Sequence, residues 1–119
     1  MRGLTILVAG ADAGRLRSAL TLACAHAALG GRTRLFVHEA AVPLLAPGAD
    51  PDAALLAAHG LPDRAGLIAT AAEAGVALIA CQTGLALAGL AERDLPPGFE
   101  TGGLMGLLAT LDDDRLDSV

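Results

Sequence analysis

Cys81 is the residue whose type and position best suit covalent chemistry. It follows the apolar run Val76 to Ala80 (VALIA) directly and precedes a Leu- and Ala-rich stretch, Thr83 to Ala91, whose helical N-cap would be Gln82 or Thr83. Unpaired amide N–H groups and the positive end of a helix dipole near its sulfur favour thiolate over thiol, and the thiolate is the nucleophile. The ordinary alternative is one more small buried apolar residue, since free cysteine is among the most buried residue types. Position alone leaves both readings open. The other cysteine, Cys24, falls inside the first predicted helix, one place beyond the core residue Ala23, where a packing thiol is the better reading. There is no CxxC and no cysteine–histidine spacing of a zinc site; in a reducing compartment both thiols stay free.

Few other residues compete. His38 and Glu39, at the end of a predicted strand, could serve a neighbouring thiolate as proton-transfer or electrostatic partners, or could simply be a strand-end His beside a Glu that begins a helix. His26 and His59 fall on helical stretches and read as packing or surface residues. Gly10-Ala11-Asp12-Ala13-Gly14 lacks the Gly-Lys-Ser/Thr ending of a phosphate loop and the glycine spacing of a dinucleotide fingerprint, so it reads as a strand-to-helix turn. Gly102-Gly103 is a minimal anion nest at most. Asp112-Asp113-Asp114 lacks the spacing of a calcium loop and reads as a solvated turn. No residue set points to a metal or an organic cofactor.

The elements that would position these residues alternate. Leu4 to Ala9 reads as a buried strand, and Asp12 caps a helix to Leu29 whose stripe is Leu16, Leu20, Ala23 and Ala27. Gly30-Gly31 ends it. Arg34 to His38 is the second strand; Glu39 to Ala46 a short helix; Pro47 to Pro51 the most loop-like stretch, where mobility is expected. Asp52 to His59 and Asp63 to Ala74 are helical, Val76 to Ala80 is the third strand, and Pro96-Pro97-Gly98 enforces a turn. Phe99 to Thr101, Gly103 to Leu111 and Arg115 to Val119 close the order as strand, helix and strand. Strands alternating with helices predict a parallel sheet covered on both faces, with ligands and reactive groups outside the carboxyl ends of the strands. Those ends are the turn after Ala9, His38-Glu39, Cys81-Gln82-Thr83 and Thr101-Gly102-Gly103.

Composition narrows the functional classes. At 119 residues the chain suits a single domain, residues 1–119, and 54% hydrophobic residues suffice for a packed core. Aromatics are only 2%, which argues against base-stacking surfaces for single-stranded nucleic acid, and a net charge of −5 with scattered arginines opposes binding to a phosphate backbone. No uninterrupted apolar stretch is long enough for a membrane span. Met1 and Arg2 lead straight into the first strand without a cleavage motif, so the expected location is cytoplasmic. A short chain this rich in Ala and Leu is expected to share apolar surface between copies.

As a whole the chain resembles the DsrE/DsrF-like family of small sulfur-relay proteins. The matching pieces are LTILVAG, LACAHAALGGRTRLFVHEAAVPLL, GVALIACQTGLALAGL and GGLMGLLATLDDDRLDSV, almost the full length, and the most specific element is the cysteine between third strand and helix, here Cys81. The resemblance implies a three-layer α/β/α sandwich with a five-stranded parallel sheet, homo-oligomers such as trimers or hexamers, and a Cys81 that accepts sulfane sulfur as a persulfide and passes it to a partner protein's thiol. No second cysteine follows in the same loop, so the receiving thiol would lie elsewhere. The competing function is a non-catalytic oligomeric protein of the same fold that binds a small ligand or a partner's tail; thiol–peroxide chemistry is a narrower third.

Overall fold

The computed structural model describes residues 1–119. Leu4, Ile6 and Val8 are sealed from solvent because their strand, β1 (Leu4–Val8), occupies an inner slot between β2 (Thr33–Val37) and β5 (Arg115–Ser118). With β3 (Ala77–Cys81) and β4 (Phe99–Gly102) these form a five-stranded sheet in the order β4-β3-β2-β1-β5, parallel throughout. Inner strands buried on both faces read as unbroken apolar runs, which is why LTILV and the strand part of VALIA stand out in the sequence.

The helices are α1 (Ala13–Ala28), α2 (Ala53–Ala58), α3 (Arg64–Glu73), α4 (Gln82–Ala88) and α5 (Leu104–Ala109), with a 3-10 segment at Glu39–Leu45. The first three crossovers step across the sheet in one direction, and right-handed connections therefore lay α1, α3 and α4 on one face. The last crossover runs back over the sheet and sets α5 on the opposite face. The side chains agree. His26 of α1 meets Thr33 at 2.8 Å, whereas the next residue, Arg34, points the other way and bonds the Leu107 carbonyl at the end of α5. This is the expected α/β/α sandwich.

Capping follows local chemistry. Asp12 accepts from the N–H groups of Gly14 and Arg15 at 2.8 and 3.1 Å, and Asp63 from Gly66 at 2.9 Å. Of the predicted α1 stripe, Leu16, Leu20 and Ala23 are buried and Ala27 partly so. Asp50 ties the Pro47–Pro51 loop down, accepting from the N–H groups of Asp52 and Arg64, both at 3.0 Å.

Several boundaries differ from expectation. β1 ends at Val8, β2 covers Thr33–Val37, the short helix after it is a 3-10 segment ending at Leu45, and β3 ends on Cys81 rather than before it. The N-cap of α4 is then Cys81 itself, not Gln82 or Thr83. Its helix stops at Gly89, whose φ of 67° only glycine adopts freely, and a separate 3-10 turn follows at Glu92–Asp94.

Candidate functional site

The carboxyl edge of the sheet brings His38 and Cys81 side by side. The last paired residues of β2 and β3 are Val37 and Ala80, so one step further along each chain stand His38 and Cys81, on strands about 5 Å apart. His38 extends the ladder, its N–H bonding the Val8 carbonyl at 2.8 Å. Side chains alternate along a strand, which puts His38 with Phe36 and Arg34, and Cys81 with Ile79, all on the α5 face. The Phe36 and His38 rings lie 5.9 Å apart, centroid to centroid.

Cys81 is 4% exposed and makes no capping bond with its side chain. On its other flank it pairs with Gly102, which brings no side chain against it. His38 is half-buried: Nε2 lies 3.4 Å from Glu39 Oε1, while Nδ1 is buried without a hydrogen-bond partner. A buried, unpaired ring nitrogen carries a desolvation penalty of about 1–3 kcal/mol, and such atoms in native structures demand an explanation. Glu39 is held at a φ of 37°, a left-handed conformation that is unfavourable for a residue with a Cβ by roughly 1–2 kcal/mol. It turns the chain sharply out of β2, and its backbone then rests against Gly84. A Cβ at Gly84 would lie 2.9 Å from the Glu39 carbonyl and would collide with Val42 Cγ2. The sequence marks Gly84 only as a weak spot in a helix; the structure shows it is what lets α4 approach the Glu39 turn.

Gln82, Thr83, Gly102 and Gly103 share this edge with Cys81, while Cys24, His26 and His59 lie elsewhere. Gln82 and Thr83 occupy the exposed start of α4, and Gly103 is the N-cap of α5. Cys24 is half-buried, its thiol pushed up in pKa by burial, with Sγ 3.8 Å from the Leu67 carbonyl. Both cysteines are free thiols. His26 bridges α1 to Thr33 and to the Arg2 carbonyl at 3.2 Å; His59 is exposed at the end of α2. The connection after β3 leads to α4 on one face and that after β4 to α5 on the other, so the adjacent carboxyl ends of β3 and β4, where Cys81 pairs with Gly102, flank the kind of crevice that open sheets favour for ligands.

The reading of Asp112-Asp113-Asp114 as solvated needs correcting at its last residue. Asp112 and Asp113 are exposed, but Asp114 is 5% exposed. Its Oδ2 accepts the Thr5 hydroxyl at 2.9 Å and lies 3.7 Å from Arg34 Nε and 3.8 Å from Arg32 Nε. Arg34 also bonds Thr5 Oγ1, Thr110 Oγ1 and the Leu107 carbonyl. Burial, with Arg32 adding to it, lowers the pKa of Arg34, and Asp114 and Asp112 oppose that. This buried network fastens β5 and the end of α5 to the sheet centre. It is structural, and it joins polar residues that lie far apart along the chain.

No family model and no curated protein matches the chain. Solved structures do match. The ychN protein of E. coli superposes with a TM-score of 0.75 at 23% identity, with 100% of both chains covered. A protein of unknown function from Methanobacterium thermoautotrophicum, MTH1491, superposes with a TM-score of 0.77 at 14% identity, again with 100% of both chains covered. The chain therefore has the fold of these two proteins over its full length. No helix is long and apolar enough to cross a membrane.

Proposed function

We propose that residues 1–119 form one DsrE/DsrF-like unit that works in the cytoplasm as a sulfur carrier, with Cys81 as the residue that holds the sulfur. The observation that carries this reading is the buried, unpaired Nδ1 of His38 on the strand beside Cys81. Cys81 Sγ makes no direct hydrogen bond to this nitrogen, so the thiol proton passes to it through a bridging water, leaving a thiolate near an imidazolium whose positive ring Glu39 Oε1, 3.4 Å from Nε2, stabilises. The thiolate attacks the outer sulfur of a donor persulfide. The donor's S–S bond breaks, its electron pair leaves with the donor's thiolate, and a new S–S bond forms at Cys81. An acceptor thiolate on a partner protein then attacks that same outer sulfur and releases Cys81 as thiolate. No net oxidation occurs, since one sulfane sulfur moves between thiols. Gly102 leaves the β4 side of Cys81 free of a side chain, which supports approach from there. Leu104, Met105 and Leu108 are exposed on α5, and this supports a homo-oligomer, trimer or hexamer, built on the α5 face.

The test is to incubate the protein with a sulfane-sulfur donor and to measure intact mass and cyanolysable sulfur. One added sulfur on the wild type, none on Cys81→Ser and a slower, pH-shifted loading of His38→Gln are expected. Equal loading of wild type and Cys81→Ser, or none on either, refutes the reading. Preserved cellular function in Cys81→Ser would favour the non-catalytic binding protein instead.

A further inference from the structure

The largest cavity in the molecule lies away from Cys81. It has a volume of about 420 Å³, between the Leu45–Asp50 loop, the start of α3 and the Arg93–Pro97 segment. A second hollow of about 310 Å³ continues along α3, sharing Ala65, Ile68, Pro96 and Pro97 with the first and extending to Ala69 and Ala72. Both volumes fall within the range of small-molecule sites.

The two hollows differ in chemistry. Arg64 and Arg93 both line the first, and neither has a carboxylate within 4.0 Å of its guanidinium or a side-chain hydrogen bond. Every other arginine except Arg15 has such a partner: Arg2, Arg17, Arg32, Arg34 and Arg115 each bond a carbonyl, a hydroxyl or a carboxylate. Three carboxylates share the cavity, but each is engaged by backbone. Asp50 takes the N–H groups of Asp52 and Arg64, Asp63 that of Gly66, and Asp94 that of Ala91. Those amide bonds lead, with the charges of Arg64 and Arg17 adding, in holding the Asp50 carboxyl below its ordinary pKa. What remains unpartnered at this end of the groove is positive; the other end is walled mainly by alanine, isoleucine and proline, with Glu73 at its margin, where a second carboxylate on the ligand would be repelled.

The geometry points to a binding site for a small amphiphilic monocarboxylate, its head on Arg64 and Arg93 and its alkyl body along Ala65, Ile68, Ala69 and Pro97. The guanidinium fork matches a planar carboxylate. A single negative charge suits the site better than a phosphate dianion, because Asp50, Asp63 and Asp94 repel the second charge. The apolar wall excludes fully hydrophilic acids from most of the available contact area. This site shares no residue with the Cys81–His38 pair and stands independently of the sulfur-carrier reading.

Calorimetry with decanoate as the probe, below its micelle concentration, tests the proposal. Saturable one-to-one binding is expected, weakened about tenfold or more in Arg64→Gln/Arg93→Gln, as for the loss of charge-assisted hydrogen bonds. Ala69→Glu, at an exposed helix position, should also weaken it while leaving the thermal melt unchanged. Decylammonium and acetate should bind far more weakly, the first for its charge and the second for its lack of an alkyl body. No saturable decanoate binding to the wild type overturns the site. So does equal binding of decylammonium, or decanoate binding that survives both sets of substitutions in folded variants.

Discussion

Replacing Gly84 by alanine sets two effects of opposite sign against each other, and the structure decides between them. Inside a helix alanine is favoured over glycine by about 1 kcal/mol, so sequence alone predicts stabilisation. In the fold, the new methyl would collide with Val42 Cγ2 and lie 2.9 Å from the Glu39 carbonyl and 3.0 Å from Glu39 Cα. Neither neighbour yields easily. Val42 is fully buried and β-branched, hence stiff at χ1, and Glu39 is backbone already held at a φ of 37°. Overpacking of this kind costs about 1–3 kcal/mol, which leaves a net loss of about 1 kcal/mol after the helix gain is subtracted. Urea unfolding should show a lower midpoint at an unchanged slope. In a Val42→Ala background, where the colliding methyl is gone, Gly84→Ala should cost less, giving a coupling of about 0.5–1 kcal/mol in a double-mutant cycle. If Gly84→Ala raises the midpoint in the wild-type background, the close approach of α4 to the Glu39 turn is wrong.

Further outcomes follow from other parts of the molecule. Asp114→Ala leaves Arg34 buried without its counter-charge and should lower stability by about 3–5 kcal/mol, whereas Arg34→Met/Asp114→Leu should recover part of the loss in the same unfolding assay; equal stabilities would contradict a buried pair. Because the Asp50 carboxyl is held below its ordinary pKa, its ionised form favours the folded state. That contribution is present above about pH 4 and is lost as the pH falls through the folded pKa, so Asp50→Asn should flatten the acid side of a melting-temperature profile. Burial raises the pKa of Cys24, so it should alkylate more slowly than a free cysteine at pH 8 in peptide-mapped labelling; labelling at the free-thiol rate would refute this. Met105, 86% exposed on α5, should weaken assembly when changed to Glu, read by light scattering across a dilution series.

Much of this was legible in the residues. VALIA and LTILV announce inner parallel strands because burial on both faces removes alternation, and strand order then sends Cys81 and His38 to the same edge. What the strand runs do not reveal is lateral register, and it is the pairing of Val37 with Ala80 that makes His38 and Cys81 neighbours. Asp114 was misread because an aspartate run is usually solvated; the signals against it were Arg34 and Thr5, polar residues inside otherwise apolar strands that need buried partners. The role of Gly84 was hidden for a related reason. Its need for space comes from a turn far away in sequence, and helix propensity carries no information about that.

The pairing of β1 with β5 also orders events during synthesis. The first strand made is an inner one, yet one of its two neighbours is β5, the last strand of the sheet to be made. Until then the flank of β1 that will receive β5 exposes unpaired backbone groups, an open template for another nascent chain. Thr5 and Arg34 meanwhile await the carboxylate of Asp114. The sheet cannot close until β5 has been made and pairs with β1. Loss of Asp114 together with β5 would therefore strip the edge pairing of β1 and leave Thr5 and Arg34 without their buried carboxylate.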